Sequence, residues 1–163
     1  MHNETTAPAG FQLRPAGASD QPAIKQLIRD AQLNPMGLAW RRFTLAVDPA
    51  GAMIGCVQYK PHRDGSCELA SLVVVRAWQR RGVAAALVHH IQQQPGPPLW
   101  LMCGRPLAPF YRQFGFLLVD DPAGMPPYFR RIQRLVGLFS RRAEHGSPLA
   151  IMHWPGPTSL PAT

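Results

Sequence analysis

A turn between an apolar segment and a helical segment has the residue types that bind phosphate. Residues 67–75 are rich in leucine and valine, and the turn QRRGVA at 79–84 follows shortly after them. The first N–H groups of a helix have no helical partner and carry partial positive charge, so they attract anions, phosphate above all. Gly82 allows a ligand to approach the backbone closely. The turn therefore predicts an anion site; a plain strand–turn–helix connection with solvated arginines is the alternative.

A single carboxylate lies at the start of the apolar segment. Glu68 is the only acidic residue between Asp64 and Asp120. A carboxylate is able to act as a general base by taking a proton from a nucleophile. A glutamate that ends a strand and pairs with a nearby arginine is the alternative interpretation.

The charge of the chain is strongly positive and is carried mostly by arginine. Lysine and arginine total 17 residues against 9 acidic ones, and 15 of the 17 are arginine. The guanidinium group is a planar fork that suits phosphate and carboxylate. A net charge of +8 fits a phosphate-rich cofactor, an acidic substrate or nucleic acid, and does not choose among them.

Hydrophobic periodicity predicts the elements that position these residues. Residues 20–32 carry apolar side chains at helical spacing, with Ser19 as a suitable N-cap, and the turn residues 48–51 predict a hairpin. The order β-α-β-β-β-α-β-α-β-α-β predicts an α/β fold with a mixed sheet. The predicted strands are 11–14, 42–47, 52–59, 67–75, 99–103, 115–119 and 149–154, and the predicted helices are 20–32, 83–93, 106–113 and 128–142.

Length and composition predict one domain. We expect a single domain at 11–154 between a disordered tail at 1–10 and a second tail at 155–163. No apolar run is long enough for a transmembrane helix, and the start of the sequence does not resemble a signal peptide. Cys56, Cys67 and Cys103 lack metal-knuckle spacing. They predict buried, reduced thiols, a cytoplasmic location and no metal site.

Two segments in order resemble motifs of one enzyme superfamily. The turn at 79–84 resembles the Gln/Arg-x-x-Gly-x-Gly/Ala motif with which GNAT superfamily N-acetyltransferases bind acetyl-CoA. About 30 residues further on, PFYRQFGF at 109–116 resembles the superfamily's FYxxxGF segment. The resemblance covers roughly residues 11–119 and the last strand. It implies a GNAT-like fold, in which helices flank a central mixed, mostly antiparallel sheet with splayed strands. The helix at 128–142 would be an addition before the last strand.

The resemblance also implies which residues bind the cofactor. Acetyl-CoA would be the co-substrate, and residues 72–75 would splay from residues 99–103 to admit its pantetheine arm against backbone groups of Val73 and Val75. Backbone N–H groups at 80–85 would hold the pyrophosphate. The residues expected to bind acetyl-CoA are Leu72, Val73, Val74, Val75, Gln79, Arg80, Arg81, Gly82, Val83, Ala84 and Ala85.

Two catalytic roles follow from the same resemblance. Glu68 lies 11 residues before Gln79, a spacing similar to that of the catalytic glutamate in histone-type members, and would act as general base directly or through a water. Tyr111 matches the tyrosine near the thioester sulfur, and its phenol, with a pKa of about 10, would protonate the departing thiolate. A core aromatic is the alternative for Tyr111.

Three functions are left open by the sequence. The preferred one is acetyl transfer from acetyl-CoA to a primary amine by direct attack, with a small-molecule or peptide amine as acceptor beside residues 32–42 and 60–66. The second is a nucleic-acid-binding module that uses the basic helix at 128–142, although no known nucleic-acid-binding motif accompanies that helix. The third is a non-catalytic acyl-CoA-binding protein. We expect no membrane partner, and a homodimer is an open alternative to a monomer. The arginines of the basic helix are Arg130, Arg131, Arg134, Arg141 and Arg142.

Overall fold

The predicted order of strands and helices is confirmed in the computed structural model, which describes residues 10–140 and 148–157. Apart from the end of the last helix, which lies outside the described residues, the boundaries agree with the predicted ones to within two residues, because turn residues and hydrophobic periodicity mark most element ends. The strands are β1 Gln12–Pro15, β2 Phe43–Val47, β3 Met53–Pro61, β4 Cys67–Val74, β5 Leu99–Gly104, β6 Leu117–Leu118 and β7 Leu149–Trp154. The helices are α1 Gln21–Asp30, α2 Val83–Gln92, α3 Ala108–Arg112 and α4 Pro127–Ser140.

The strands form one seven-stranded mixed sheet in the order β1-β2-β3-β4-β5-β7-β6. The pairs β1–β2, β2–β3, β5–β7 and β6–β7 are antiparallel, whereas β4 and β5 are parallel. In the described part of the chain the parallel ladder joins Cys67 to Leu99 and Glu68 to Trp100, at the start of both strands. A ladder this short agrees with the predicted splay of the strands. The predicted fold class, an α/β fold with a mixed, mostly antiparallel sheet, is confirmed.

The chain divides into two compact units. The first, called the N-terminal unit, comprises residues up to Tyr59 together with Leu69–Gln94. The second, called the C-terminal unit, comprises Lys60–Glu68 and the residues from Pro95 onward. The assignment of one domain to 11–154 stays a prediction. Of the expected tails, residues 1–9 and 158–163 lie outside the described residues.

The core of the N-terminal unit lies between α1 and the first strands. Ile24 and Ile28, four residues apart and therefore on one face of α1, are fully buried against the inward side chains of β2. The polar residues of α1 lie on its opposite face. The remaining buried members of this cluster are Ala16, Phe43, Leu45, Val47 and Cys56.

The prediction that Ser19 is the N-cap of the first helix is wrong, because Asp20 occupies that position. A short 3-10 turn precedes α1, and the carboxylate of Asp20, not the hydroxyl of Ser19, accepts a hydrogen bond from the N–H of Gly17 at 2.8 Å. Arg14 donates two hydrogen bonds to the same carboxylate. These bonds, with that of Arg14 contributing most, lower the pKa of Asp20 to about 2. The pairing of Arg14 with Asp20 is a tertiary contact, which the local capping pattern does not reveal.

The core of the C-terminal unit is built by α4 against β7. Phe129 and Met125 are buried with Ile151 of β7, so the helix after residue 119 is part of a folded core. On its outer side Leu135 is 52% exposed and Leu138 is 63% exposed. The end of the predicted helix, with Arg141 and Arg142, lies outside the described residues.

Two kinds of feature are missing from residues 10–140 and 148–157. Within these ranges no helix combines the length and the apolar character needed to cross a membrane. The same ranges contain no group of three or more histidine, cysteine, aspartate or glutamate side chains that could bind a metal ion.

Candidate functional site

The turn that precedes α2 contains two residues in the left-handed conformation. Arg80 has a φ of 61° and Gly82 a φ of 81°. α2 begins at Val83, directly after Gly82, which has no side chain to cap the helix. The first N–H groups of α2 therefore lack partners of their own helix, and turns that mix right- and left-handed residues form concave anion sites. This geometry fits a diphosphate held by main-chain amides.

Arginine side chains add positive charge around this turn. Arg76, Arg80 and Arg81 are all exposed. The guanidinium of Arg81 lies 5.0 Å from the ring centre of Trp78, within the range of a cation–π contact. The contact holds one cation beside the turn.

A cavity of about 570 Å³ adjoins the turn within the N-terminal unit. This volume lies in the range of small-molecule and cofactor sites. Five predicted cofactor residues, Leu72, Val73, Val74, Val75 and Gln79, line the cavity, and the amide nitrogen of Gln79 donates to the carbonyl of Val74 at 3.1 Å. The other walls come from Leu27, Asp30, Ala31, Leu33 and Arg76. The remaining predicted residues, Arg80, Arg81, Gly82, Val83, Ala84 and Ala85, form the turn and the first turn of α2.

β4 is distorted just before the residues that line the cavity. Ser71 has a φ of 55°, unusual for a residue with a side chain and incompatible with regular extended geometry. Its hydroxyl accepts a hydrogen bond from the side-chain amide of Gln58 at 3.3 Å. The other end of that amide, Oε1, is buried without a hydrogen-bond partner. Neither residue was predicted. Gln58 could have been singled out because it is an isolated glutamine within a strand of apolar residues. Nothing in the sequence indicates that Ser71 adopts a positive φ.

Gly55 lets β3 approach the backbone of β4 closely, so Gly55→Ala is expected to destabilise the protein. A Cβ at this position would meet the carbonyl oxygen of Val73 at 2.8 Å, and backbone cannot yield as a side chain can. We expect a loss of about 1–3 kcal/mol in the free energy of unfolding, together with weaker acetyl-CoA binding, since Val73 lines the cavity. Urea denaturation would measure the loss. Gly137→Ala in α4, where a Cβ meets nothing within 4 Å, is the matched control and should be no less stable than the parent.

Glu68 is buried in the C-terminal unit and is hydrogen-bonded to a histidine that sequence reasoning did not assign to it. Glu68 Oε2 and His62 Nε2 lie 2.8 Å apart, with side chains 6% and 8% exposed. Burial raises the pKa of the Glu68 carboxyl, while the hydrogen bond and charge of His62 and the charge of Lys60 oppose the rise. The expected pairing of Glu68 with an arginine is replaced by this pairing with His62. A carboxyl with a raised pKa, held by one partner, is suited to accept a proton.

Tyr111 lies on α3 among aromatic rings of the C-terminal unit. Its ring contacts those of Phe110 and Phe116 edge-on, and the residue is only 9% exposed. Burial, with a smaller contribution from Cys103, raises the pKa of the phenol well above its ordinary value. The phenol therefore keeps its proton at neutral pH and is available as a hydrogen-bond donor.

The three cysteines are free and buried, as predicted. Burial raises the pKa of Cys56 to about 12 and that of Cys103 to about 11. Thiols with such values stay protonated at neutral pH and are poor nucleophiles. Cys103 on β5 therefore remains a structural residue, in agreement with its sequence-based interpretation.

The basic helix proposed for nucleic acid uses one of its arginines internally. Arg130 donates hydrogen bonds to the carbonyl oxygens of Pro122 and Met125. Arg131 and Arg134 are exposed, and Arg141 and Arg142 lie outside the described residues. The buried side of the helix packs on its own unit through Phe129. These contacts give α4 a structural role.

Several solved structures share this fold. N-acetylglutamate synthase from Neisseria gonorrhoeae, solved with coenzyme A and N-acetyl-glutamate, superposes with a TM-score of 0.69 at 18% identity, covering 91% of this chain and 35% of that one. Rv2747 from Mycobacterium tuberculosis, in complex with CoA and NLQ, gives 0.66 at 20% identity and covers 88% and 98%. Ard1 from Thermoplasma volcanium gives 0.62 at 13% identity and covers 90% and 98%. This chain spans about a third of the N-acetylglutamate synthase chain.

The sequence itself matches a known domain family. The family model of the acetyltransferase (GNAT) domain matches residues 39–117, which include both motifs, Glu68 and the cavity-lining part of β4. No curated protein sequence matches this chain. The family match and the shared fold confirm the resemblance seen in the two motifs. Residues 39–117, just under half of the chain, therefore match the acetyltransferase (GNAT) domain, and acetyl-CoA is the co-substrate of that superfamily.

Proposed function

We propose that this protein transfers an acetyl group from acetyl-CoA to a primary amine by direct attack in a ternary complex. The observation that carries the proposal is the left-handed turn at Arg80 and Gly82, which immediately precedes the start of α2 and follows Gln79, a lining residue of the 570 Å³ cavity. The amides at 80–85 would hold the pyrophosphate, and the cavity-lining backbone at 72–75 would bind the pantetheine arm. Bound acetyl-CoA supplies an activated thioester.

Glu68 is proposed as the general base. It takes a proton from the acceptor ammonium, directly or through a water, and the freed nitrogen forms the C–N bond as the C–S bond breaks. The nitrogen then releases its second proton to solvent, which leaves a neutral amide. A carboxyl with a raised pKa suits this task better than an ordinary one, because its conjugate base is stronger. Binding both substrates in one complex supplies much of the remaining acceleration through orientation.

Tyr111 is proposed as the group that stabilises the departing thiolate. Its phenol holds its proton tightly, so full transfer to a thiolate with a pKa of about 8.5 would be unfavourable. A hydrogen bond donated by the phenol stabilises the developing negative charge without that cost. The role expected for Tyr111 thus narrows from proton donor to hydrogen-bond donor, and solvent protonates the thiolate after release.

Tyr111→Phe is accordingly expected to lower kcat by about 10-fold to 100-fold while leaving the Kd of acetyl-CoA unchanged, since one hydrogen bond to a charge is lost. Single-turnover thiol release would measure the change. The ring itself stays packed against Phe110 and Phe116, so the thermal midpoint should move by no more than a few degrees. A kcat equal to that of the parent would assign Tyr111 to the core alone.

The function is tested by titrating acetyl-CoA in a calorimeter and by following thiol release with a panel of peptide amines, polyamines and amino acids. Amino acids belong in the panel because N-acetylglutamate synthase shares the fold. Binding with turnover of at least one amine supports the proposal. The absence of any binding heat for acetyl-CoA would refute it, and binding without turnover would favour a non-catalytic acyl-CoA-binding protein.

Two finer expectations belong to the same proposal. The buried free thiols support a cytoplasmic location, where cysteines stay reduced. The acceptor is proposed as a small-molecule or peptide amine and not nucleic acid, and sedimentation would distinguish a homodimer from a monomer.

A further inference from the structure

The backbone that carries His62 is fixed by a tight turn. The N–H of His62 donates to the carbonyl of Ser66 at 2.9 Å, and the N–H of Gly65 donates to the carbonyl of His62 at 3.1 Å. This turn connects β3 to β4 and brings position 62 beside position 68 across the hairpin. The location of the imidazole relative to Glu68 is therefore set at its backbone.

The first turn of α4 holds the imidazole ring itself. The ring of Tyr128 stacks on His62 with centroids 3.7 Å apart and an angle of 21° between the planes. Phe129, which is fully buried, meets the same imidazole edge-on at 5.7 Å. Two consecutive aromatic residues thus leave the imidazole little freedom to rotate away from Glu68.

A hydrogen-bonded carboxylate ties α4 to the turn that carries His62. Asp64 Oδ2 accepts the N–H of Tyr128 at 2.9 Å, in the manner of a helix cap. Asp64 Oδ1 accepts the N–H and the hydroxyl of Ser66. Burial alone would raise the pKa of Asp64, but the hydrogen bonds from Ser66 and Tyr128 outweigh it and keep the pKa low.

The charged and titratable groups around the pair come from several elements. Lys60 on β3 and Tyr128 on α4 both interact electrostatically with Glu68, and Asp64 interacts with His62. Trp100, the partner of Glu68 in the parallel ladder, stacks on His153 of β7. Among these groups, His62 makes a direct hydrogen bond to the Glu68 carboxylate. When Glu68 is ionised, the shared proton must lie on His62 Nε2, because a carboxylate has none to donate.

We propose that His62 is a positioning residue that orients Glu68 and favours its ionised form, and that α4 is part of the catalytic apparatus because Tyr128 holds His62 in place. The proposal rests on the role of Glu68 in the proposed function. It assigns a role to α4, which follows the family match at 39–117: two rings of the helix pack against the imidazole of His62.

The pair is tested directly by carbon NMR titration of the Glu68 carboxyl in the parent, His62→Leu and His62→Gln proteins. Without a donor, His62→Leu should raise the titration midpoint of Glu68 by about one pH unit or more, a tenfold change in the ionisation constant. His62→Gln, whose amide can donate, should return the midpoint toward that of the parent. An unchanged midpoint in His62→Leu overturns the proposal. Because the titration needs no turnover, this result stands even if no acceptor amine is found.

The role of α4 is tested by the pH dependence of kcat/KM. Tyr128→Leu should shift the acidic limb of the profile, the fall of kcat/KM at low pH, to higher pH while leaving the KM for acetyl-CoA unchanged. Tyr128→Phe keeps the stacked ring and should leave the limb close to its position in the parent. Leu138→Ala, on the exposed side of α4, is the control for general damage to the helix. A limb that moves equally in Tyr128→Leu and Leu138→Ala, or in neither, would overturn the role of α4. Circular dichroism at each pH verifies that the variants are folded.

Discussion

Replacing Glu68 with glutamine is expected to lower kcat for acetyl transfer by about 10²–10⁴-fold, the range that a positioned general base contributes. Glutamine has nearly the same shape and keeps an oxygen that accepts the hydrogen bond from His62, so the site should remain intact. The Kd of acetyl-CoA should not change, because Glu68 is not among the residues that line the cavity or form the turn. Thiol release at saturating amine measures the first quantity and calorimetry the second.

The pH dependence separates loss of the base from loss of structure. Below the pKa of Glu68 in the folded protein the carboxyl is protonated and cannot act as a base, so activity falls as the pH falls through that value. Since burial raises this pKa, the acidic limb should lie above the ordinary carboxyl value of about 4.5. The limb should disappear in Glu68→Gln. If the variant keeps the limb, another group is the base.

The free energy of unfolding is the control measurement for Glu68→Gln. A carboxyl whose pKa is raised on folding binds its proton more tightly in the folded state, so stability decreases as the pH rises from the unfolded pKa to the folded pKa. Glutamine does not ionise, so the variant does not lose stability in this way as the pH rises. Glu68→Gln should therefore be at least as stable as the parent at pH 7 in urea denaturation, and a large destabilisation would attribute any lost activity to unfolding.

The parts of the fold that sequence could predict are those encoded locally. The order of elements and the strand–turn–helix at 79–84 follow from hydrophobic period and turn residues. Gly82 itself indicates positive φ, because glycine tolerates it without steric cost. Arg80 and Ser71 adopt the same region with side chains, which no local pattern predicts, because surrounding contacts impose it.

The parts of the site that sequence could not predict depend on tertiary contacts. Glu68 was identified by its spacing from the turn, but its partner was not. His62 becomes that partner because the turn at 62–66 folds it back and because α4, more than 60 residues later, packs on its ring. The cap by Asp64 on Tyr128 spans 64 residues and is equally invisible in the local sequence. The pairing of Glu68 with His62 thus depends on long-range packing, whereas the turn at 79–84 is encoded locally.

Gly82→Val is expected to weaken acetyl-CoA binding on the order of 100-fold, equivalent to about 2.7 kcal/mol. At a φ of 81° a β-branched side chain clashes with its own backbone, so the chain relaxes toward negative φ and turns the first N–H groups of α2 away from the pyrophosphate. The effect should appear as a higher Kd in calorimetry.

Valine at a positive φ destabilises the fold wherever it is placed, and this general effect must be separated from a specific effect on the turn at 79–84. A second glycine with a positive φ, Gly51, provides the comparison. Gly51 has a φ of 84° and belongs to the same N-terminal unit, but it lies in the hairpin turn after Asp48, where a Cβ would meet nothing within 4 Å. Gly51→Val should therefore cost comparable stability while leaving the affinity for acetyl-CoA unchanged. If both variants lose affinity equally, the loss comes from general destabilisation, and the diphosphate is not held by the turn. If only Gly82→Val loses it, the main-chain amides at the start of α2 are the anion site on which acetyl transfer depends.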